Sequence, residues 1–163
     1  MSLRAKLWLA QVPILAALVL LSVLHGWRVS SIGGAAQQIL HENYRSVLAA
    51  QRIDQAIERM DGAVRLRLAG RRDPVESPLD ANRQRFEAEL QIAESNITEP
   101  GEREAAAMLH QHWNAYVRSI EDLAASSGGD VARALYFAQA EPNFRKVKAA
   151  AYDILAMNQD AMV

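Results

Sequence analysis

An uncharged apolar run of eighteen residues, Leu7–Leu24, constrains the fold of this chain more than any other feature. A helix of this length rises roughly 27 Å, close to the ~30 Å hydrocarbon thickness of a bilayer. Two basic residues precede the run, which favours a cytoplasmic N-terminus, and Trp8 and Trp27 lie near its ends, where interfacial rings are expected. The run therefore predicts a transmembrane helix over residues 7–27, after a cytoplasmic segment 1–6.

A cleaved signal peptide is the rival interpretation of this run. Its apolar region would span about 7–15 residues and end at a small-x-small cleavage site. Here the run is longer, and the small-residue cluster IGGAAQQ comes well after it. We therefore expect a retained anchor, with residues 28–163 on the far side of the membrane from the N-terminus.

The composition favours packed helices over a sheet and excludes several classes of function. Half of the residues are hydrophobic, but only 6% are aromatic, so Ala, Leu, Ile and Val must fill the core. The net charge of −1 offers no basic field for nucleic acid. The chain has no Cys, which removes disulfides, thiol nucleophiles and Cys-based metal sites.

Helical periodicity recurs through the rest of the chain. From Ile39 to Leu68 the apolar residues follow helical spacing without a Pro, and the loop-like stretch AGRRDPVESP follows. Further helical patterns start near Pro78, at a Thr98 cap with Pro100 in the first turn, and at Glu141-Pro142 after a short helix. No segment alternates with period two. The pattern predicts an all-α fold, in which a membrane helix leads into an up-down four-helix bundle.

The apolar stripes of these helices are the predicted core. Its members are Ile39, Ala50, Ile53, Ile57, Met60, Val64, Leu68, Leu79, Phe86, Leu90, Ala93, Ile97, Ala105, Leu109, Trp113, Tyr116, Ile120, Leu123, Phe144, Val147, Ala151, Ile154, Asn158 and Met162.

No pattern of catalytic residues emerges from the sequence. His41-Glu42 resembles the start of a phosphoacceptor site, but no Pro follows, and the predicted outer location has no ATP. His110 and His112 stand two apart, so on a helix they point about 200° away from each other and cannot share a metal ion. We expect no catalysis by this chain, no metal and no cofactor.

Five arginines near the end of the first long helix are the candidate ligand site. The planar fork of Arg suits carboxylate, nitrate or phosphate, so a small anionic ligand is one interpretation. The other is that neighbouring acids neutralise the cluster, and the sequence leaves both open. The five candidates are Arg59, Arg65, Arg67, Arg71 and Arg72.

Several short segments together resemble one family. They are ENYRSV, AIERMDGA, NITEPGE, Trp113-x-x-Tyr116 and NQDAM. The chain resembles the extracytoplasmic sensor of bacterial membrane histidine kinases that carry HAMP and PAS modules. In that family the second segment usually reads ALER-x-DSA, from which Ile57 and Gly62 depart. The resemblance covers nearly the whole chain and identifies the type of sensor better than any ligand.

The resemblance implies a periplasmic four-helix-bundle sensor in the bacterial inner membrane. A second membrane helix would then follow Val163, so we interpret the chain as part of a longer kinase. Two alternatives stay open, namely the ligand-binding region of a methyl-accepting chemotaxis receptor and a membrane-anchored helical adaptor that binds another protein.

The resemblance also implies a parallel homodimer through the first long helix and an output role for the last helix, Pro142–Val163. A small anion or a periplasmic protein is the possible stimulus. Asn158 occupies an apolar-spaced position, where a polar side chain restricts register, and is the predicted signal-output residue. The predicted dimer contacts are Leu40, Asn43, Tyr44, Ser46 and Val47.

Overall fold

The structure, a computed structural model, describes the backbone of residues 3–71, 78–126 and 129–162. Side chains are described for residues 15–22, 37–71, 79–126 and 129–162. The chain divides into two compact units, Met1–Leu40 and His41–Val163. Every described element is helical, as predicted: α1 is Leu3–Leu68, α2 is Pro78–Ser95, α3 is Glu102–Ala125, α4 is Gly129–Leu135, a π-helical segment is Tyr136–Ala140, and α5 is Glu141–Asp160.

The first unit contains the N-terminal part of α1. Its described side chains, residues 15–22 and 37–40, are all exposed, and most of them are large and apolar. Within the described residues, no helix has both the length and the hydropathy needed to cross a membrane. The side chains of residues 7–14 and 23–27 lie outside the described part, and the predicted transmembrane helix stays a prediction.

In the second unit, four helical stretches surround one core, which is consistent with the predicted four-helix bundle. They are the His41–Leu68 part of α1, α2, α3, and α4 with the π-helical segment and α5. The predicted apolar stripes form this core. Its fully buried apolar side chains include Ile53, Ile57, Phe86, Leu109, Tyr116, Val147 and Ile154. Ile39 was predicted to join them but is exposed.

Polar contacts between the helices show their alternating directions. The early part of α1 meets the turn that precedes α3, because Asn43 bonds to Glu99, and the same turn meets the end of α5, because Thr98 bonds to Asn158. Near the middle of the bundle, Lys148 of α5 lies between two α1 carboxylates, 3.2 Å from Asp54 and in contact with Glu58. The up-down order predicted from the sequence agrees with these pairings.

Glycine ends α1 where the sequence predicts a loop. Gly70 has a φ of 82°, a left-handed conformation that glycine adopts without a steric penalty. The N–H of Gly70 bonds to the Arg67 carbonyl at 3.0 Å, and the N–H of Arg71 bonds to the Leu66 carbonyl at 3.1 Å. These two hydrogen bonds close the last turn of α1 and satisfy two of its free carbonyls.

One predicted helix start differs from the structure, and another agrees with it. Thr98 does not cap α3, because α3 begins at Glu102 after Gly101, whose φ is 86°. The Glu102 side chain instead reaches back and accepts the backbone N–H groups of Thr98 and Glu99 in the preceding turn. Glu141-Pro142 opens α5 as predicted, but no loop precedes it, because the π-helical segment joins α4 directly to α5.

Candidate functional site

The turn between α2 and α3 is organised around one carboxylate. Glu102 Oε2 accepts the backbone N–H of Thr98 at 2.7 Å and that of Glu99 at 3.1 Å. These donors have no helical partner, so the side chain satisfies groups that would otherwise be buried and unbonded. A Cβ at Gly101 would stand 3.7 Å from Met157 Cε of α5, which places this turn directly against the last helix.

Glu102 also bonds to α5. Its Oε1 accepts from the Asn158 side-chain amide at 2.7 Å, and the same amide nitrogen is 2.9 Å from the Ile154 carbonyl. The Thr98 hydroxyl is 3.2 Å from both Glu102 Oε2 and Asn158 Oδ1, and its one proton can serve one of them at a time. Asn158 is fully buried, so these bonds are shielded from water.

On its other side the turn bonds to α1. The Asn43 amide donates to Glu99 Oε1 at 2.8 Å, and the Ser46 hydroxyl donates to the Asn96 carbonyl at 3.1 Å. The Asn96 amide donates to the Glu42 carbonyl at 2.7 Å and lies 2.9 Å from Ser46 Oγ. We call this network the polar junction. Its members are Asn43, Ser46, Asn96, Thr98, Glu99, Glu102 and Asn158.

The electrostatics of the polar junction favour a charged Glu102. Burial by itself would raise the pKa of this carboxyl group, but bonds from the Thr98 N–H, the Asn158 amide and the Glu99 N–H outweigh it and lower the pKa. The negative charge is therefore held by fixed dipoles. One acceptor of the polar junction is unpaired, because Asn43 Oδ1 is buried without a hydrogen-bond partner.

The arrangement is a mechanical connection rather than a chemical centre. It carries direct hydrogen bonds from α1, through the α2–α3 turn, to α5, and no member is a nucleophile placed beside a base. In the described part of the chain, no group of three or more His, Asp or Glu side chains could hold a metal ion. The polar junction can report or resist displacement of α5 relative to α1.

Three of the residues singled out from the sequence lie in or beside the polar junction. Asn158 belongs to it, and so do Asn43 and Ser46, both fully buried within the protomer. Val47 is also buried, whereas Leu40 and Tyr44 are 48% and 54% exposed. The dimer stays a prediction, and among the predicted contact residues Leu40 and Tyr44 are the ones with surface to offer a partner.

The predicted arginine cluster is exposed. Arg59, Arg65, Arg67 and Arg71 all have exposed side chains, and Arg72 lies outside the described residues. Arg65 pairs with Asp61, with Nε 2.9 Å from Oδ2. A shallow groove of about 690 Å³ lies elsewhere, between α2 and α3, and four of its polar side chains form two pairs, His110 with Glu94 at 2.5 Å and Arg83 with Glu121 at 3.5 Å. Anion binding by the cluster stays a prediction.

Sequence reasoning missed the central residue of the polar junction. Neither Glu102 nor Asn96 was singled out as a candidate, although both belong to the segment NITEPGE. The segment NITEPGE did carry a signal, since four of its seven residues have polar side chains. His41 is exposed on α1.

Comparison with known protein families gives a match over almost the whole chain. A model of the four-helix-bundle sensory module for signal transduction matches residues 1–161. Searches of the curated proteins and of the solved structures found no match. The matched range includes all members of the polar junction and both ends of the bundle.

Proposed function

Because the chain belongs to the family of four-helix-bundle sensory modules for signal transduction, we propose that it is the extracytoplasmic input region of a membrane sensor histidine kinase. The family assignment by itself fits the input bundle of a chemotaxis receptor equally well. The segments ENYRSV, NITEPGE and NQDAM favour the kinase, and all three contribute members of the polar junction.

The observation that carries the proposal is the bond between Asn158 and Glu102. Asn158 lies near the end of α5, and its 2.7 Å bond to Glu102 connects this end to the α2–α3 turn and, through Asn43 and Ser46, to α1. Signals in bundles travel as helix shifts of about 1–2 Å. A shift of that size would stretch a 2.7 Å bond beyond hydrogen-bonding range, so the polar junction gives α5 discrete positions.

Attachment to the inner membrane is part of the proposal. The side chains of Leu15, Leu18, Val19, Leu20 and Leu21 are between 53% and 65% exposed, and contiguous apolar surface of this kind is typical of a membrane or protein contact. We place this part of α1 in the bilayer and the bundle in the periplasm. A homodimer that uses Leu40 and Tyr44, and a small anion or a periplasmic protein as the stimulus, complete the proposal.

The test replaces Asn158 by Leu in a chimera. Residues 1–163 would replace the corresponding input region of a membrane sensor kinase of this type, whose output is followed with a transcriptional reporter. Leu cannot donate to Glu102, so the substitution removes one preferred position of α5. We expect the reporter level to shift at least several-fold and its response to stimulus to be lost.

The matched control is Gln159→Leu, because Gln159 is the exposed neighbour of Asn158 on α5. We expect this control to keep the wild-type output. Membrane levels and thermal melting of the Asn158→Leu chimera separate altered signalling from misfolding. Wild-type output in a folded Asn158→Leu chimera would contradict the proposed role of the polar junction.

A further inference from the structure

A second buried carboxylate lies at the other end of the bundle. Asp61 of α1 is only 1% exposed, and its two oxygens accept from the Tyr136 hydroxyl at 2.9 and 3.1 Å. Arg65, one turn further along α1, pairs with Asp61 at 2.9 Å, but the Arg65 side chain is 60% exposed. Asp61 thus has one buried donor and one donor at the protein surface.

The buried donor, Tyr136, is the first residue of the π-helical segment. That segment, Tyr136–Ala140, leads without a break into α5. A π-helical turn holds one residue more than an α-helical turn, and such single turns inside α-helices are frequent at functional sites. The Tyr136–Asp61 bond connects α1 to the first residue of this segment.

The groups around Asp61 disfavour its charge. Burial raises its pKa, the Tyr136 hydroxyl and Arg65 each lower it in part, and Glu141 at the start of α5 raises it again. From α3, the Tyr116 hydroxyl interacts electrostatically with Asp61 and is itself buried without a hydrogen-bond partner. Burial raises the pKa of both tyrosines, so they remain neutral hydroxyls.

From this geometry we infer that Asp61 is a proton-sensing residue whose protonation releases the π-helical segment and shifts α5. The inference rests on the proposed function, because it supplies a stimulus for the same output helix. A proton from solvent adds to one carboxylate oxygen of Asp61, and the carboxylate becomes a neutral carboxyl group. No other covalent bond forms or breaks.

Protonation weakens the contacts that Asp61 makes with its two donors. The ion pair with Arg65 is lost, and the bond from Tyr136, which is charge-assisted, falls to about half its strength. The new proton occupies one of the two oxygens that accept from the Tyr136 hydroxyl, and the resulting O–H group is a donor that needs an acceptor. The Tyr116 hydroxyl, which is buried without a hydrogen-bond partner, is a candidate acceptor. Tyr136 is then free to leave its position on α1.

Release of the π-helical segment has a geometric consequence for α5. Conversion of the segment to α-helix returns one residue to the helix, which corresponds to a rise of about 1.5 Å. This distance falls within the range of signalling shifts in helical proteins. It would also break the bond between Asn158 and Glu102 at the far end of α5, so the two buried carboxylates would be connected through one helix.

The test measures a distance between α1 and α5 as a function of pH. The chain has no native Cys, so one Cys at Gln55 and one at Asp153, both exposed, carry spin labels in the full chain of 163 residues in lipid nanodiscs. We expect the distance to change by about 1–2 Å as the pH falls, with a midpoint above the ~3.9 of an ordinary aspartate. Asp61→Asn, which imitates the protonated carboxyl group, should show the low-pH distance at every pH.

Asp54→Asn is the matched control, because Asp54 is another α1 carboxylate that faces α5, where Lys148 pairs with it. It should keep the pH-dependent change. A wild-type distance that does not change with pH, or an Asp61→Asn distance that changes as the wild type does, would overturn the inference. Should Asp61→Asn fail to fold, carboxyl-carbon NMR titration of the wild-type chain decides, and an ordinary pKa for Asp61 would refute it.

The chimera separates this inference from the proposed function. If the pH-dependent change in spin-label distance requires Asp61, but the reporter level responds neither to pH nor to Asn158→Leu, the proton switch exists and the proposed signalling function fails. If Asn158→Leu changes the reporter while the distance is independent of pH, the sensory function stands and Asp61 is a structural residue.

Discussion

Glu102 and Asp61 are both buried carboxylates of the same bundle, but their surroundings shift their pKa values in opposite directions. The pKa of Glu102 is lowered and that of Asp61 is raised. Glu102 accepts from two backbone N–H groups and from the Asn158 amide. Asp61 accepts from one phenol and one exposed guanidinium group.

The kind of donor determines the role of each of these buried acids. The backbone N–H groups around Glu102 are held by the α2–α3 turn itself and cannot rotate away. The donors around Asp61 are two side chains, and one of them, Arg65, is exposed and can adopt another rotamer. A carboxylate of the first kind fixes a structure, whereas one of the second kind can change its protonation and its partners within a folded protein.

The largest effect is expected for Glu102→Ala. This change leaves the N–H groups of Thr98 and Glu99 and the amide of Asn158 without their acceptor in a buried site, which costs roughly 3–5 kcal/mol of unfolding free energy. Chemical denaturation of the full chain measures it. Glu104→Ala, an exposed glutamate on the same turn of α3, should stay within about 0.5 kcal/mol of wild type. Equal losses in Glu102→Ala and Glu104→Ala would show that the buried hydrogen bonds of Glu102 do not stabilise the fold.

An intermediate effect is expected in the pH dependence of stability. The raised pKa of Asp61 means that its charge destabilises the folded state above that pKa, and that this destabilisation is relieved as the pH falls toward the ~3.9 of an unfolded aspartate. As the pH falls, the unfolding free energy of the wild type should therefore increase relative to that of Asp61→Asn.

Glu102 should show the opposite sign. Its lowered pKa stabilises the folded state above the ~4.3 of an unfolded glutamate, and this stabilisation is lost as the pH falls through the folded value. The advantage of wild type over Glu102→Gln should therefore shrink in acid. Denaturation series at several pH values measure both trends. Trends of the same sign would contradict the opposite pKa shifts of Asp61 and Glu102.

The smallest effect is expected for Arg65→Gln. The guanidinium group is mostly exposed, so loss of the pair with Asp61 should cost less than about 1 kcal/mol. Because Arg65 lowers the pKa of Asp61, its removal should raise that pKa further and move the spin-label midpoint toward neutral pH. Arg67→Gln, an exposed neighbour, should leave the midpoint unchanged, and an equal shift in both variants would exclude a specific role for Arg65.

Much of the fold follows from local patterns in the sequence. Helical spacing predicted the buried positions Ile53, Phe86, Leu109 and Val147 because each helix must bury one apolar face. Gly and Pro marked the end of α1 at Leu68 and the start of α2 at Pro78, since both restrict the backbone locally. The family match over residues 1–161 agrees with the sensory resemblance found in short segments.

The candidate site was only partly predictable. Asn158 stood out because a polar residue occupied an apolar-spaced position, and it is fully buried in the structure. Asn43 and Ser46 also stood out, as predicted dimer contacts, but they bond within the protomer to Glu99 and Asn96. The spacing of a polar residue shows that it faces inward, and it does not show which element will meet it.

The sequence alone predicts the helices, their apolar faces and the turns between them, because propensity, periodicity and backbone restriction act over a few residues. The pairing of the polar groups depends on the tertiary structure, because Asn158 and Glu102 are 56 residues apart and Tyr136 and Asp61 are 75 apart. The pKa values of the two acids depend on those pairings and on burial. The π-helical segment was not predicted from the sequence, and its first residue, Tyr136, bonds to Asp61 of a distant part of the chain.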